Sequence, residues 1–420
     1  MNKEMLMPWI RSLGIALLLA PLAIAADWPQ WLGPKRDGSS PEKVSPWKEP
    51  LKILWRQPVG EGNSAPIVGE GRVFLHFKVK DKLEEQITAY DAKSGKLLWQ
   101  SPYKRTALKT LYGNGPRATP AYADGKIYTY GITGLLSCFE TDKGKLEWQV
   151  DTADVLSPKP LIFGPSCSPL VVGKSVLMNI GGKGSSIVAF DKEFGKIQWM
   201  KLNDGASYAS PILIRKNKEA VFLTEQSLVG VKPDDGSLLW RFPFKDPYLE
   251  SSTTPVRAGG LLIGSSIGLG TVGLRLEKKE GKITPTEVWK QPKLTCYFST
   301  PIAVGKDQFY AVVGEISLNP FAKKKPKAKL CCVETQTGKT LWTKENVGTY
   351  HASLLRTGDN KLLMLEEGGD LVLLDPNPKE YRELARSKIC GSTWAHPALA
   401  NSRLYVRDGK ELICVELPAP

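Results

Sequence analysis

One eleven-residue unit recurs along this chain and constrains its fold more than any other feature. Ala89-Tyr-Asp-Ala-Lys-Ser-Gly95-Lys-Leu-Leu-Trp99 sets the pattern, and Cys138 to Trp148, Ala189 to Trp199, Gly230 to Trp240 and Cys332 to Trp342 repeat it. In every copy the glycine falls six residues in and the tryptophan four residues later. A strand end, an acidic turn closed by glycine and a second strand ending in Trp together describe a hairpin. Weaker copies fill the gaps. Leu274 to Trp289 carries Gly281 with a longer turn, Leu373-Leu374-Asp375 opens a copy in which Leu384 stands for the Trp, and Leu412 to Leu417 opens a last one where the chain ends.

A second pattern alternates with the first. Small polar residues, usually followed by proline, precede short apolar runs at Ser64-Ala-Pro66, Thr119-Pro120, Ser168-Pro169, Ser210-Pro211, Thr254-Pro255, Thr300-Pro301 and His396-Pro397; Ser353-Leu354 holds the same slot without proline. Each unit then supplies four short strands in about 40–50 residues, the period of a propeller blade. One blade cannot bury both of its faces, so neighbours must stack, and one Trp per blade is suited to wedge between them. The fold class is therefore all-β: an eight-bladed β-propeller with four-stranded antiparallel blades. The eighth unit lacks its last strand, whereas Leu51-Lys-Ile-Leu-Trp55-Arg-Gln57 is an orphan strand at the other end. Pairing it with residues 411–417 completes the blade and removes the open sheet edges; the alternative is seven blades with loose tails. The docking residues predicted on this basis are Trp55, Trp99, Trp148, Trp199, Trp240, Trp289 and Trp342.

The remaining segments divide simply. Residues 1–26 read as a signal peptide: Lys3 and Arg11 precede a short apolar run, and a small-residue site predicts cleavage near Ala25 or Ala26. The run is shorter than the ~20 residues of a membrane span. The expectation is thus an exported chain, periplasmic or secreted, with no transmembrane segment once cleaved. Residues 27–50 contain Trp28, Trp31 and Trp47 without strand periodicity and read as an extended arm packed on the propeller surface, the alternative being a recognition arm for a partner; residues 51–420 form a single propeller domain. The seven Cys are scattered, with no Cys-x-x-Cys pair, so no metal site is predicted and buried free thiols are expected. Cys331 and Cys332 are neighbours in one strand and point to opposite faces, against a disulfide. A net charge of +14 allows contact with an anionic surface or glycan; Lys323, Lys324, Lys325, Lys327 and Lys329 are candidates for a polyanion contact. Nucleic acid is disfavoured by the export signal.

The Ala-x-Asp-x-x-x-Gly-Lys-x-x-Trp unit resembles the tryptophan-docking repeat of the PQQ-repeat propellers, which include the quinoprotein alcohol dehydrogenases and the outer-membrane assembly factor BamB. The resemblance covers about residues 51–417, and Asp27 to Gly38 is similar to the start of many secreted bacterial proteins of this type, notably from planctomycetes. It implies fold far more than chemistry, because the repeat residues build blades. Quinoprotein dehydrogenases hold PQQ over the propeller centre with a Ca²⁺ or lanthanide ion and an Asp base, and are longer; no such base or ligand segment maps onto this chain. No catalytic residue is therefore assigned and no cofactor predicted. The resemblance favours a non-catalytic binding or scaffold propeller with a BamB-like envelope role and a protein partner or envelope component. The alternative is a small PQQ- and Ca²⁺-dependent dehydrogenase oxidising an alcohol or sugar. For a ligand at the channel mouth the candidates are Asn63, Arg117, Tyr208, Tyr350, His351, Trp394 and His396, set at the starts of inner strands. Two inserts, residues 101–117 and 151–165, are long enough to cap one face, and His76 reads as structural.

Overall fold

The computed structural model describes residues 27–110, 112–215, 218–314 and 327–420. The predicted signal peptide and Lys323, Lys324 and Lys325 lie outside them. Eight antiparallel four-stranded sheets are arranged around one axis. Blade one comprises Ile67–Gly69, Arg72–Lys78, Glu84–Asp91 and Leu97–Lys104. Blades two to seven follow in chain order over residues 121–151, 170–201, 212–243, 256–291, 302–348 and 352–388. Blade eight takes Ala398–Ala400, Arg403–Arg407 and Glu411–Glu416 from the end of the chain and Ile53–Pro58 from its beginning. Ile53 pairs with Val415 and Arg56 with Ile413, so the two termini of the propeller seal the ring.

The outer tryptophans show how blades adhere. Trp55 Nε1 donates to the carbonyl of Ala92 in blade one at 3.3 Å, Trp99 to Thr141 in blade two at 2.7 Å, Trp148 to Lys192 in blade three at 3.1 Å and Trp199 to Pro233 in blade four at 3.1 Å. Trp289 and Trp342 do the same to Thr335 and Asn377 at 2.9 and 2.7 Å. Each acceptor lies in the outer turn of the following blade, and the rings of Trp55, Trp99, Trp148, Trp199 and Trp289 cover that turn's glycine; the turn under Trp342 has no glycine. Gly95 has φ +72°, and a Cβ there would come within 2.6 Å of the Trp55 ring. The glycine is thus required twice, for the left-handed turn and for the close approach. Opposite each Trp the partner strand carries a small residue (Ala89, Cys138, Ala189, Gly230, Gly273, Cys332 or Cys414), followed by a bulge. Three cysteines are explained by this slot: they are small, apolar and buried.

Two blade junctions depart from the pattern, each for a visible reason. Blade five extends its outer hairpin to ten-residue strands, Gly270–Lys279 and Lys282–Gln291, so the length foreseen as a longer turn is strand. No short turn is left for Trp240 of blade four, whose indole N–H donates instead to buried Glu219 of its own blade. Glu219 pairs with Arg215 at 3.0 Å, and Arg215 reaches Leu276 of blade five. At the seventh junction, blade eight has no covalent outer turn because that hairpin joins the two chain ends. Register also corrects the expected substitute: Ala385, opposite Leu373, holds the Trp slot, and Leu384 sits in the bulge one residue earlier.

The Ser/Thr-Pro pattern stitches the inner ring. The Ala65 amide donates to Thr119 Oγ1 at 3.2 Å, Thr119 to Ser168 Oγ at 3.0 Å and Ser168 to Ser210 Oγ at 2.9 Å, each crossing to the next blade. The proline that follows has no N–H needing a partner there. All seven Cys are free and buried. Cys331 packs in the layer between blades five and six and Cys332 in the layer between six and seven, which keeps their thiols apart.

Trp55→Ala should lower the urea-unfolding free energy by about 3–5 kcal/mol, the range for large aromatic truncations. Leu384→Ala, facing a blade with no outer turn, should cost well under half of that in the same measurement.

Candidate functional site

The arm reaches much deeper than a surface strap. Trp28 pairs with Val68 of blade one, and the Tyr122 amide of blade two donates to Pro29. The chain then turns into the axis. Buried Arg36 donates from Nε to the Pro211 carbonyl at 2.7 Å, from Nη1 to Pro169 at 2.9 Å and from Nη2 to Ser168 at 3.2 Å, bridging blades three and four. Burial lowers its pKa to about 10. Trp31 donates to Thr254 Oγ1 of blade five at 2.9 Å and meets His396 of blade eight edge-on at 5.4 Å. Ser39 and Ser40 then pair with Arg356 of blade seven, and Glu42 accepts the amides of Asn401 and Ser402 of blade eight. The arm thus ties blades on all sides together while Trp31 fills the channel from one end.

At the other end a pocket opens. The residue three before the proline slot faces it in seven blades: Asn63, Arg117, Ser166, Tyr208, Ser252, Phe298 and Trp394. Trp31 lies in the same wall. The inserts contribute Tyr112 and Phe163, whose rings continue the aromatic chain: Tyr112 lies 5.5 Å from both Phe163 and Trp394, and Phe163 lies 5.6 Å from Tyr208. Phe298 stacks on Tyr297 at 3.8 Å and on Trp394 at 5.1 Å. Tyr350 touches Phe298 and Trp394 edge-on from the rim.

Polar groups fix these rings. Arg117 donates from Nε to Phe163 at 2.8 Å and from Nη2 to Thr110 Oγ1, Tyr112 and Gly113, so it holds both inserts and leaves only Nη1 without a partner among the described residues. Glu367 accepts the Tyr350 amide at 2.8 Å and the Trp394 indole N–H at 2.9 Å. Glu250 accepts the Tyr297 hydroxyl, and burial beside that carboxylate pushes the phenol pKa up. The composition pattern did not reveal Trp31, Tyr112, Phe163, Tyr297, Glu250 or Glu367. Tyr112 and Phe163 had a signal, since the inserts that carry them exceed what a blade turn needs.

The expected histidines do not reach the pocket wall. His396 occupies the residue just before proline, two positions past the mouth slot held by Trp394, and so points into the channel, with both ring nitrogens buried and unpartnered. His351 is also buried, between Ser299 Oγ at 3.0 Å and Ser353 Oγ at 2.9 Å. Burial lowers their pKa values to about 4 for His351 and about 3 for His396. His76 lies in blade one, bonded to Tyr103 at 2.7 Å beside Glu85. Of the lysine run, Lys327 is exposed and Lys329 lies 3.5 Å from Glu345.

Among the described residues no group of three or more His, Cys, Asp or Glu is placed to hold a metal. The mouth pocket has one carboxylate in its wall, Glu250, already committed to Tyr297. A Ca²⁺ ion takes six to eight oxygens, so the residues at this mouth do not fit a Ca²⁺–quinone pair.

This is an eight-bladed propeller with an arm-filled axis and an aromatic mouth. The chain belongs to the PQQ-repeat family whose model is described as outer membrane protein assembly factor BamB, which matches residues 41–107 and 83–311. BamB of Shewanella oneidensis is 24% identical over 239 residues, 54% of this chain and 57% of that protein. The dehydrogenase subunit of a quinone alcohol dehydrogenase from Gluconobacter oxydans is 25% identical over 217 residues, 46% of this chain but 28% of that subunit. The matches thus span little more than half of one relative and under a third of the other. Among solved structures, BamB from Moraxella catarrhalis superposes with TM-score 0.61 at 13% identity, covering 87% of this chain and 98% of that one. A quinohemoprotein alcohol dehydrogenase from Comamonas testosteroni gives 0.63 at 14%, covering 94% and 82%.

The histidines predict acid sensitivity. Both are held below the unfolded value of 6.5, so the unfolded chain binds more protons and stability is complete above about pH 6.5 and falls below it. Urea unfolding should lose about 3–4 kcal/mol from this pair between pH 7 and pH 5, and His396→Asn should remove about half of that slope.

Proposed function

We propose that this protein is a non-catalytic binding propeller with a BamB-like role in the cell envelope, presenting its aromatic mouth to a partner. The observation that carries this reading is the mouth itself: linked aromatic rings held in place by Arg117, Glu367 and Glu250, with no converging carboxylates. Aromatic side chains offer large contact area at low entropic cost and are enriched at interfaces. Tyr112, Val155 and Ile162 add exposed apolar surface on the inserts. The arm supports the same reading, because Trp31 and Arg36 consume the channel as structure. The BamB relatives favour protein partners, and among the described residues no helix is long and apolar enough to cross a membrane. The export signal in residues 1–26 and an envelope location belong to this proposal, as does the absence of a resident cofactor.

The competing reading is a PQQ-dependent dehydrogenase, drawn from the quinone-enzyme relatives. Incubation with PQQ and Ca²⁺ separates the two. A site saturated at a hundred times its Kd would add about 2.7 kcal/mol of stability. The binding reading predicts an unchanged melting temperature and no alcohol- or sugar-dependent dye reduction; a shift accompanied by turnover would overturn it.

A further inference from the structure

Beside the mouth, at the inner ends of blades eight and one, lies a second cavity of about 180 Å³. Arg407 forms part of its wall and is 1% exposed. Nε of this side chain donates to the Asp408 carbonyl at 3.2 Å, and Nη2 donates to the carbonyls of Gly60 at 2.8 Å and Asp408 at 3.2 Å. Nη1 is buried without any hydrogen-bond partner. It faces Gly62, another wall residue, where a Cβ would stand only 3.4 Å from it.

The nearby carboxylate does not satisfy this guanidinium. Asp408 Oδ1 accepts the amides of Lys410 and Glu411 at 2.8 and 2.9 Å, and Oδ2 accepts that of Gly391 at 2.9 Å. Among the described residues Arg407 forms no ion pair. A buried charge without a bonded counter-charge is costly, and natural chains rarely leave a buried N–H unmet. The cavity far exceeds the ~10–15 Å³ that one water requires. Asn63 and Trp394 line both this cavity and the aromatic mouth, so the two adjoin. The Asn63 side-chain amide has no hydrogen-bond partner among the described residues, whereas the Trp394 N–H is already taken by Glu367.

We infer that Arg407 Nη1 and the Asn63 amide form a carboxylate-binding subsite, and that the neighbouring mouth rings receive the apolar group next to that carboxylate. The ligand class is an organic acid whose carboxylate adjoins an aromatic or aliphatic group, the arrangement found at the C-terminal end of a peptide. Charge-assisted hydrogen bonds from a guanidinium to a carboxylate are among the stronger polar contacts, and Nη1 is the one guanidinium nitrogen of Arg407 left to make one. The inference rests on reading the mouth as a binding surface and supplies its chemistry.

Calorimetric titration of the full chain tests it, using N-acetyl-phenylalanine, the peptide acetyl-Ala-Ala-Ala-Phe, and both compounds with amidated C-termini. The free acids should bind at least about ten-fold more tightly than the amides, a difference of about 1.4 kcal/mol. A tighter fit for the peptide acid than for the single amino acid identifies a chain end as the source; equal affinities identify a small free acid. Arg407→Met should abolish the preference for acid over amide. Because Arg407 also holds Gly60, Asn63→Asp serves as the variant that leaves Arg407 in place, and its added negative charge should reverse the preference. Equal binding of acid and amide by the unaltered protein, no heat from any probe at millimolar concentration, or discrimination that survives Arg407→Met would overturn the subsite. Those failures are distinct from quinone-dependent turnover, which would overturn the binding reading itself.

Discussion

The contact on which this molecule depends is an indole laid over a glycine turn of the neighbouring blade. It joins area burial to a directional bond: the ring covers the turn, and its N–H meets a carbonyl that the turn leaves free. A radial sheet has two apolar faces and so cannot exist alone. The indole fixes the distance and angle at which the next sheet must arrive. The small residue opposite each Trp follows from the same contact, because a larger side chain there would push the ring off its turn.

From this constraint the exceptions become intelligible. Where blade five lengthens its hairpin, the indole of Trp240 turns to Glu219 and the junction is bridged through Arg215. Where blade eight closes without a covalent turn, Ala385 takes the slot, since an indole there would have no turn to cover. The inner ring uses a different device, hydroxyls reaching across to backbone amides, and the arm adds a third by bonding to the strands from within the channel. With outer, inner and axial ties in place, the mouth is a rigid rim on which two inserts and one arm arrange aromatic rings.

Much of this was legible in the sequence, and the boundary of legibility is physical. Trp99, Gly95 and Asp91 sit at fixed local spacing, so repetition exposes them; the same spacing disclosed the count of eight and the pairing of residues 53–58 with 411–416. Mouth-slot positions such as Asn63, Arg117 and Tyr208 could be indexed from the proline pattern, and they do line one pocket. What they do there could not be read, because Arg117 is committed to the carbonyls of two inserts that approach it only in three dimensions. His396 was misplaced by two residues of strand, enough to send it into the channel. Glu250, Glu367 and Trp31 act across blades with no repeat to announce them. The buried Arg407 carries no sequence mark at all, since its lack of a partner is a property of the folded surroundings.

The sealed ring is the claim that underlies every later step, including the position of Gly60 and Gly62 beside Arg407. Native-state hydrogen exchange of the amides in residues 53–58 tests it most directly. If the first strand is an integral part of blade eight, those amides exchange only through global unfolding, with the same protection as the central strands of blade one. Exchange of that strand at the rate of a frayed terminus, while the other blades remain protected, would contradict the account.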